Sequence, residues 1–336
     1  MRVGVVGLGR MGHFYADTIA SLGGAVRLAA VADPNVGVRQ AIQARLRVEY
    51  ACADATDALE RVDAVVVATP TSAHADVVLA AAALRKPVFC EKPLALTVAE
   101  TQRVLSVVQE AGVLLQVGFM RRFDPAHVRT KEAIAAGRIG RPMLFKSVGR
   151  DPGCPPVDFA DPRHSGGLII DMGIHDFDTA RWLMSSEVER VSAEGNLLFC
   201  EELRRVGDID NAIISMRFAS GALGTVEVSR TARYGYDIQV EVLGSEGAVR
   251  LGPSAAREID ELQVLDPAPP NEETTPPFVR RFANAYRAQI VDFLECVQAD
   301  RMPRASGEDA LAAIQIAEAA THSARSGAPV AVLAHV

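Results

Sequence analysis

Val3-Gly4-Val5-Val6-Gly7-Leu8-Gly9-Arg10-Met11-Gly12 joins a short apolar run to the start of a helix-like stretch through the pattern G-x-G-x-x-G. Each glycine has a physical reason to be there. Gly7 permits a tight turn, Gly9 lets the backbone approach a pyrophosphate, and Gly12 lets the helix pack close to the strand. Arg10 and Met11 lie in the same loop, where free N–H groups and the positive end of the helix dipole favour phosphate. Asp33 ends the next apolar run, about 20 residues after Gly12, where an acidic side chain binds ribose hydroxyls. Its carboxylate repels a 2′-phosphate, and Pro34-Asn35-Val36 contain no arginine to offset that. The glycine pattern alone is weak, and a turn beside a surface aspartate would read the same way. With a strand before it, a helix after it and the acid in place, NAD is the expected cofactor.

Outward from this loop, apolar runs at 2–6, 27–32, 64–68, 88–90 and 113–117 alternate with helix-like stretches at 11–22, 35–46, 72–84 and 98–111. The runs show no polar alternation, as expected of parallel strands buried on both faces. The rhythm predicts a doubly wound Rossmann dinucleotide-binding domain over residues 1–119. Beyond it the pattern changes. Strand-like runs at 208–218, 222–230, 236–243 and 248–251 are separated by short turns at Gly221 and Gly244-Ser245-Glu246-Gly247. Ile214, Met216 and Phe218 face one way and Ser215 and Arg217 the other. Residues 120–336 are therefore expected to form an α/β domain with an open-faced, mainly antiparallel sheet, whose open face would pair with another copy. The proline-rich stretch 267–277 reads as a loop, and helices are expected at 278–299 and 307–326.

Composition excludes several classes. The 336 residues carry a net charge of −7, which argues against a nucleic-acid partner. Apolar runs such as 77–84 are far short of the about 20 residues that span a bilayer. The first residues lack the layout of a signal peptide, so a cytoplasmic location is expected. Five scattered cysteines (Cys52, Cys90, Cys154, Cys200, Cys296) include no C-x-x-C pair and read as reduced thiols.

Two places carry candidate chemistry. Glu91-Lys92-Pro93 follows the run at 88–90, and a lysine at the carboxyl end of such a strand lies beside the ligand crevice. A solvated surface lysine is the bland alternative. Asp171 and His175 are four apart in what reads as the start of one buried helix, so they share a face. An imidazole there could take an alcohol proton while the carboxylate orients it. A salt-bridged helix with a satisfied histidine is the plainer reading. Asp171, His175 and His164 could in principle hold a metal, but no multi-ligand motif supports one.

With these residues in view, the chain resembles the glucose–fructose oxidoreductase, inositol dehydrogenase and rhizopine catabolism superfamily over nearly its whole length. It looks most like the inositol 2-dehydrogenase branch. The matching stretches are Gly7–Gly12, Ala68-Thr69-Pro70 with His74, Phe89-Cys90-Glu91-Lys92-Pro93-Leu94, Val117-Gly118-Phe119-Met120-Arg121-Arg122-Phe123-Asp124, the Asp171–His175 pair, and Tyr234-Gly235-Tyr236-Asp237. The resemblance implies oxidation of a secondary hydroxyl of a cyclic polyol, myo-inositol or a close isomer, to the inosose with NAD. It implies Lys92, Asp171 and His175 as the catalytic set, with His175 as base. Thr69, Pro70, His74 and Glu91 would line the nicotinamide half of the cofactor site. Arg121 and Tyr236 would lie near the substrate. It also implies a homotetramer. At Val148-Gly149-Arg150-Asp151 the chain departs from relatives that place a histidine and an asparagine against the ring. Gly149 is expected to leave space there, and Asp151 to join the substrate contacts. A dehydrogenase of a pyranose or modified hexose using NAD(P), and a non-catalytic NAD-binding sensor, are the competing readings.

Overall fold

The computed structural model describes residues 1–252 and 276–332. Its strands are β1 (Arg2–Val6), β2 (Arg27–Ala32), β3 (Tyr50–Cys52), β4 (Ala64–Val67), β5 (Val88–Cys90), β6 (Leu115–Val117), β7 (Pro142–Arg150), β8 (Val188–Asn196), β9 (Asn211–Phe218), β10 (Leu223–Ser229), β11 (Asp237–Gly244), β12 (Ala248–Leu251) and β13 (Val330–Ala331). Its helices are α1 (Arg10–Leu22), α2 (Val36–Leu46), α3 (Ala55–Leu59), α4 (His74–Ala83), α5 (Val98–Ala111), α6 (Pro125–Ala135), α7 (Val157–Ala160), α8 (Pro162–Ser165), α9 (Gly167–Asp171), α10 (Gly173–Met184), α11 (Pro277–Ala299) and α12 (Gly307–Ser326). The proline-rich stretch read as a loop falls mostly outside the described residues, and Pro277 opens α11.

Two compact units result, one formed by residues 1–120 and 284–311, the other by the rest of the described chain. The first unit has a parallel sheet in the order β3-β2-β1-β4-β5-β6. All four residues of β4 and all three of β5 are buried, which is why these runs show no alternation. The order reverses between β1 and β4, so the crevice at their carboxyl ends is where a ligand belongs.

The cut read from sequence after residue 119 lies one residue from the end of the first unit's main segment, and by contact residues 284–311 also return to that unit. Gln289 explains part of this. Its amide donates to the Tyr15 hydroxyl at 2.8 Å, and its backbone carbonyl accepts from the Gln116 side chain at 2.9 Å. Phe293 packs on Phe89 with ring centroids 6.1 Å apart. Such long-range pairings leave no mark in local periodicity.

The second unit has a seven-stranded sheet in the order β12-β11-β7-β10-β9-β8-β13. Only β7 and β10 run parallel; every other pair is antiparallel. The strands β10 and β11, consecutive in sequence, are separated by β7. In β9 the residues Ala212, Ile214, Met216 and Phe218 are buried, as the alternation predicts, and α10 packs on β7 and β10. The opposite face is mixed rather than wholly apolar. Leu144, Ile213 and Leu223 are 45%, 60% and 51% exposed there. Exposed Lys146, Arg190 and Arg217 stand among them.

The five cysteines are not all thiols. Cys154 and Cys200 form a disulfide across 46 residues of sequence, while Cys52, Cys90 and Cys296 are free and buried. The bond joins the exposed segment after β7 to Cys200, which sits in a small apolar cluster with Ala160 and Leu203. A cross-link of this loop length restricts the unfolded chain. Reduction, or Cys154→Ser, should therefore lower unfolding stability by about 2–5 kcal/mol. An unchanged urea midpoint, together with no linked 154–200 peptide under non-reducing mass spectrometry, would refute the bond.

Candidate active site

In the first unit the glycine loop has the geometry that a dinucleotide needs. Gly7 has φ +86°, and a Cβ there would lie 2.5 Å from the Thr69 backbone nitrogen. A Cβ on Gly12 would lie 1.9 Å from the Gly7 carbonyl oxygen. At Gly9 a Cβ would meet nothing within 4 Å, so this side of the turn is open. Gly9 is also the N-cap of α1, and no side chain caps that helix. Arg10 and Met11 form its first turn. Uncapped N–H groups behind an open backbone suit a pyrophosphate.

Asp33 follows β2 and is tied to this loop. One carboxylate oxygen accepts from the Leu8 N–H at 2.8 Å and the other from the Asn35 N–H at 2.8 Å. Sequence reading missed Arg39, which lies one turn into α2. Its guanidinium donates to the carbonyls of Asp33 at 3.1 Å and Pro34 at 3.0 Å. Helical spacing from Asn35 was the signal that could have found it.

Thr69 and Pro70 follow β4. The Thr69 hydroxyl is buried and has no hydrogen-bond partner among the described residues. His74 is 1% exposed, with Nδ1 2.7 Å from the Pro93 carbonyl and Nε2 2.9 Å from the Thr69 carbonyl. Burial pushes its imidazolium down in pKa, although the two carbonyls favour the charged ring. The ring thus pins the β4 loop to the β5 loop. Glu91 is buried, and burial raises its pKa. Its carboxylate accepts from the Tyr15 hydroxyl and, at 3.1 Å, from the Lys92 N–H. Gly118 makes room, since a Cβ there would be 3.0 Å from that carboxylate. Glu91 fixes the backbone that presents the half-buried Lys92.

In the second unit Asp171 and His175 lie not on one helix but on two. Asp171 ends α9, His175 is in the first turn of α10, and Met172 joins them. Met172 keeps φ −91° and ψ −50°, and the His175 N–H donates to its carbonyl at 3.3 Å. Near-helical geometry is thereby kept across the break, and both side chains remain partly exposed. Asp171 lies 3.3 Å from Arg230, which also binds Asp208 at 2.6 Å.

Arg121 is buried and reaches Asp176 at 2.5 Å, and the Ser147 hydroxyl donates to the same Asp176 oxygen at 2.5 Å. The Tyr236 phenol is pushed up by burial, with Arg121, Asp151 and Asp176 close enough to act on it. The structure thus gathers Arg121, Asp151 and Tyr236 into one neighbourhood. Asp151 is pinned through its backbone, donating to the Ser229 carbonyl at 2.8 Å and accepting from the Ala232 N–H at 3.0 Å. The space expected at Gly149 is filled from within: a Cβ there would be 3.2 Å from Asp176 Oδ2. Asp176, Arg230, Asp208 and Ser147 were not singled out from sequence, because their partners lie 22 to 59 residues away. No group of three or more His, Cys, Asp or Glu side chains that could hold a metal occurs among the described residues.

Residues 1–119 match the oxidoreductase family, NAD-binding Rossmann fold, and residues 131–332 match the C-terminal alpha/beta domain of the same family. The chain belongs to this oxidoreductase family. Among relatives, it is 39% identical over 332 residues to scyllo-inositol 2-dehydrogenase (NAD(+)) of Bacillus subtilis, covering 98% of this chain and 96% of that one. It is also 39% identical over 325 residues to myo-inositol 2-dehydrogenase of Thermotoga maritima, covering 96% of each. Among solved structures, scyllo-inositol dehydrogenase from Lactobacillus casei with bound NAD(H) and scyllo-inositol superposes with a TM-score of 0.87 at 28% identity, over 99% of each chain. No described helix is long and apolar enough to cross a membrane.

The Rossmann geometry yields a test of cofactor choice. A carboxylate at the ribose would repel a 2′-phosphate; Asp33→Ser removes it and leaves Arg39 bonded to the Asp33 and Pro34 carbonyls. The preference for NAD over NADP should fall by about 10-fold or more, the scale of a hydrogen bond to a charged group. The ratio of kcat/KM for the two cofactors measures it, and an unchanged ratio would refute the role of Asp33.

Proposed function

We propose that this chain is an NAD-dependent dehydrogenase that oxidises a secondary hydroxyl of an inositol, myo-inositol or a close isomer, to the inosose. The observation that carries the proposal is end-to-end likeness to inositol dehydrogenases, joined to a glycine loop and Asp33 that fit NAD. When bound, NAD accepts the hydride from the alcohol carbon. The residues of the chain handle the rest. Gly7, Gly9, Arg10, Met11 and Gly12 hold the pyrophosphate, Asp33 the ribose, and Thr69, Pro70 and His74 the nicotinamide side. His175 removes the hydroxyl proton through its imidazole. Lys92 stabilises the developing alkoxide, and a fixed charge at that point is usually a large contribution to rate. Asp171 orients and charge-supports His175. Arg121, Asp151 and Tyr236 pair with the remaining ring hydroxyls, which is how a buried polar site tells one polyol from another.

His175→Ala and Lys92→Ala should each lower kcat by about 10²-fold or more, the scale of losing a general base or an electrostatic stabiliser. NAD affinity should change little for His175→Ala. The rate of the intact enzyme should rise with pH as the base loses its proton, and that rise should vanish in His175→Ala. Near-normal kcat in His175→Ala at saturating NAD and inositol overturns the assignment. Following NADH absorbance across a panel of cyclitols, pyranoses and linear polyols tests the substrate; activity on linear alcohols alone would rule out the inositol reading.

We also infer that the outward face of the second sheet, with Leu144, Ile213 and Leu223 exposed, pairs with other copies to give a homotetramer. A reaction that consumes NAD fits a cytoplasmic location. Light scattering that gives a monomer at micromolar concentration sinks the tetramer.

A further inference from the structure

Arg230 is among the largest fully buried side chains, 2% exposed, and it follows β10 directly. A guanidinium stays charged at any working pH, so its burial demands carboxylate partners. It has two. Nη1 lies 2.6 Å from Asp208 Oδ2, and Nη2 lies 3.3 Å from Asp171 Oδ2. The other oxygen of Asp208, Oδ1, accepts from the Leu168 N–H at 3.1 Å, in the first turn of α9. The short helix α9 is therefore gripped at both ends by one ion pair. Asp208 holds its start, and Arg230 holds Asp171 at its finish. Gly167 is the residue that lets Asp208 come so near, since a Cβ there would stand 2.7 Å from Oδ1. The Arg230 backbone is itself fixed, donating to the Asp210 carbonyl at 2.9 Å.

The two contacts are unequal. Asp208 is 5% exposed in its side chain and makes the short contact; Asp171 is 17% exposed and makes the long one. The Asp208 contact is the anchor, and the longer contact places the Asp171 carboxylate. We propose that Arg230 and Asp208 are positioning residues for Asp171. They fix where its carboxylate sits, Asp208 through the start of α9 and Arg230 through the side chain itself. The inference rests on the reading that Asp171 and His175 carry the proton transfer. Arg230 touches neither substrate nor cofactor in this role. It acts through Asp171.

Lysine carries the charge but not the fork that spans two carboxylates. Asp208→Asn leaves one acceptor oxygen where the carboxylate had two, so Leu168 and Arg230 can no longer both be held, while the side chain keeps its size. The test compares Arg230→Met, Arg230→Lys, Asp208→Asn and Asp171→Asn in the full chain. It reads kcat and KM with myo-inositol, NAD affinity by fluorescence titration, thermal midpoint, and the isotope effect on kcat with inositol deuterated at the oxidised carbon. Arg230→Met and Asp208→Asn should lower kcat roughly 10-fold, a fraction of the 10²–10⁴ that general-base catalysis contributes. NAD affinity should hold, KM should move less than kcat, and the isotope effect should be at least as large as in wild type. Arg230→Lys should recover part of the rate. If Arg230→Met does not fold, Asp208→Asn decides by the same readings. A lowered thermal midpoint with kcat within twofold of wild type in Asp208→Asn and Arg230→Lys, while Asp171→Asn is crippled, makes the cluster merely structural and overturns the inference. A near-normal Asp171→Asn overturns the underlying reading as well.

Discussion

A methyl group on Gly12 would lie 1.9 Å from the Gly7 carbonyl oxygen, so the turn from β1 into α1 closes only with glycine there. Much of the first unit follows from that contact. The same turn brings Gly7 against the Thr69 backbone at the point where the sheet reverses its order. It leaves Gly9 open on its outer side and α1 uncapped. It also places the Leu8 N–H where Asp33 can accept from it. The open glycine turn, the placing of Asp33 against it and the switch point of the sheet are thus consequences of one close backbone approach.

The second unit is organised differently, by charge inside a core. The adjacent arginines Arg121 and Arg122 reach Asp176 and Asp178, two residues apart on α10, at 2.5 and 2.7 Å. Asp124, next in the same motif, accepts from Arg281 at 2.8 Å and pairs with His127 at 2.7 Å. Both α10 carboxylates are 1% exposed. Buried pairs of this kind add little net stability over apolar packing, because desolvation offsets their attraction. Breaking one is costly, since it strands a buried charge. Their effect is on geometry: they hold α6, α10 and the Met120–Phe123 turn in one register, and with them the neighbourhood of Tyr236 and Asp151.

This difference accounts for what was legible in the sequence. The bounds of β1, β2, β5 and α5 were readable to the residue, because apolar runs and caps are local signals. The strand β3 was not: it is as short as β5, but its Tyr-Ala-Cys is only partly buried and lacks the fully apolar run that marks β5. The strand β8 was missed, and the insertion of β7 between β10 and β11 could not be foreseen, since pairing between distant strands is set by tertiary packing. In the candidate site, Lys92, Asp171 and His175 were visible as residue types in telling places. The residues that hold them were not. Tyr15 is 76 positions from Glu91, and Arg230 is 59 from Asp171. The Cys154–Cys200 pair failed for the same reason: thiols far apart in sequence carry no spacing signal. Met172 divided an expected helix because α9 is anchored from outside, by Asp208, rather than by continuity with α10.

Gly149 shows how a local signal and a buried charge meet at one position. A missing side chain on β7 first suggests room for a ligand. Instead the room is taken by Asp176, whose Oδ1 serves Arg121 and Ser147 while Oδ2 has no hydrogen-bond partner among the described residues. A buried polar oxygen left in that state costs free energy. A Cβ at position 149 would stand 3.2 Å from that oxygen, so the glycine is what lets the carboxylate sit there. The chain thus keeps a glycine and a half-satisfied carboxylate beside Arg121, within range of Tyr236 and Asp151. Such a wall offers fixed charge and hydrogen-bonding capacity without a flexible side chain in front of it. In general, polar groups committed in this way make a neighbouring site selective, because a ligand that leaves one of them unpaired is rejected.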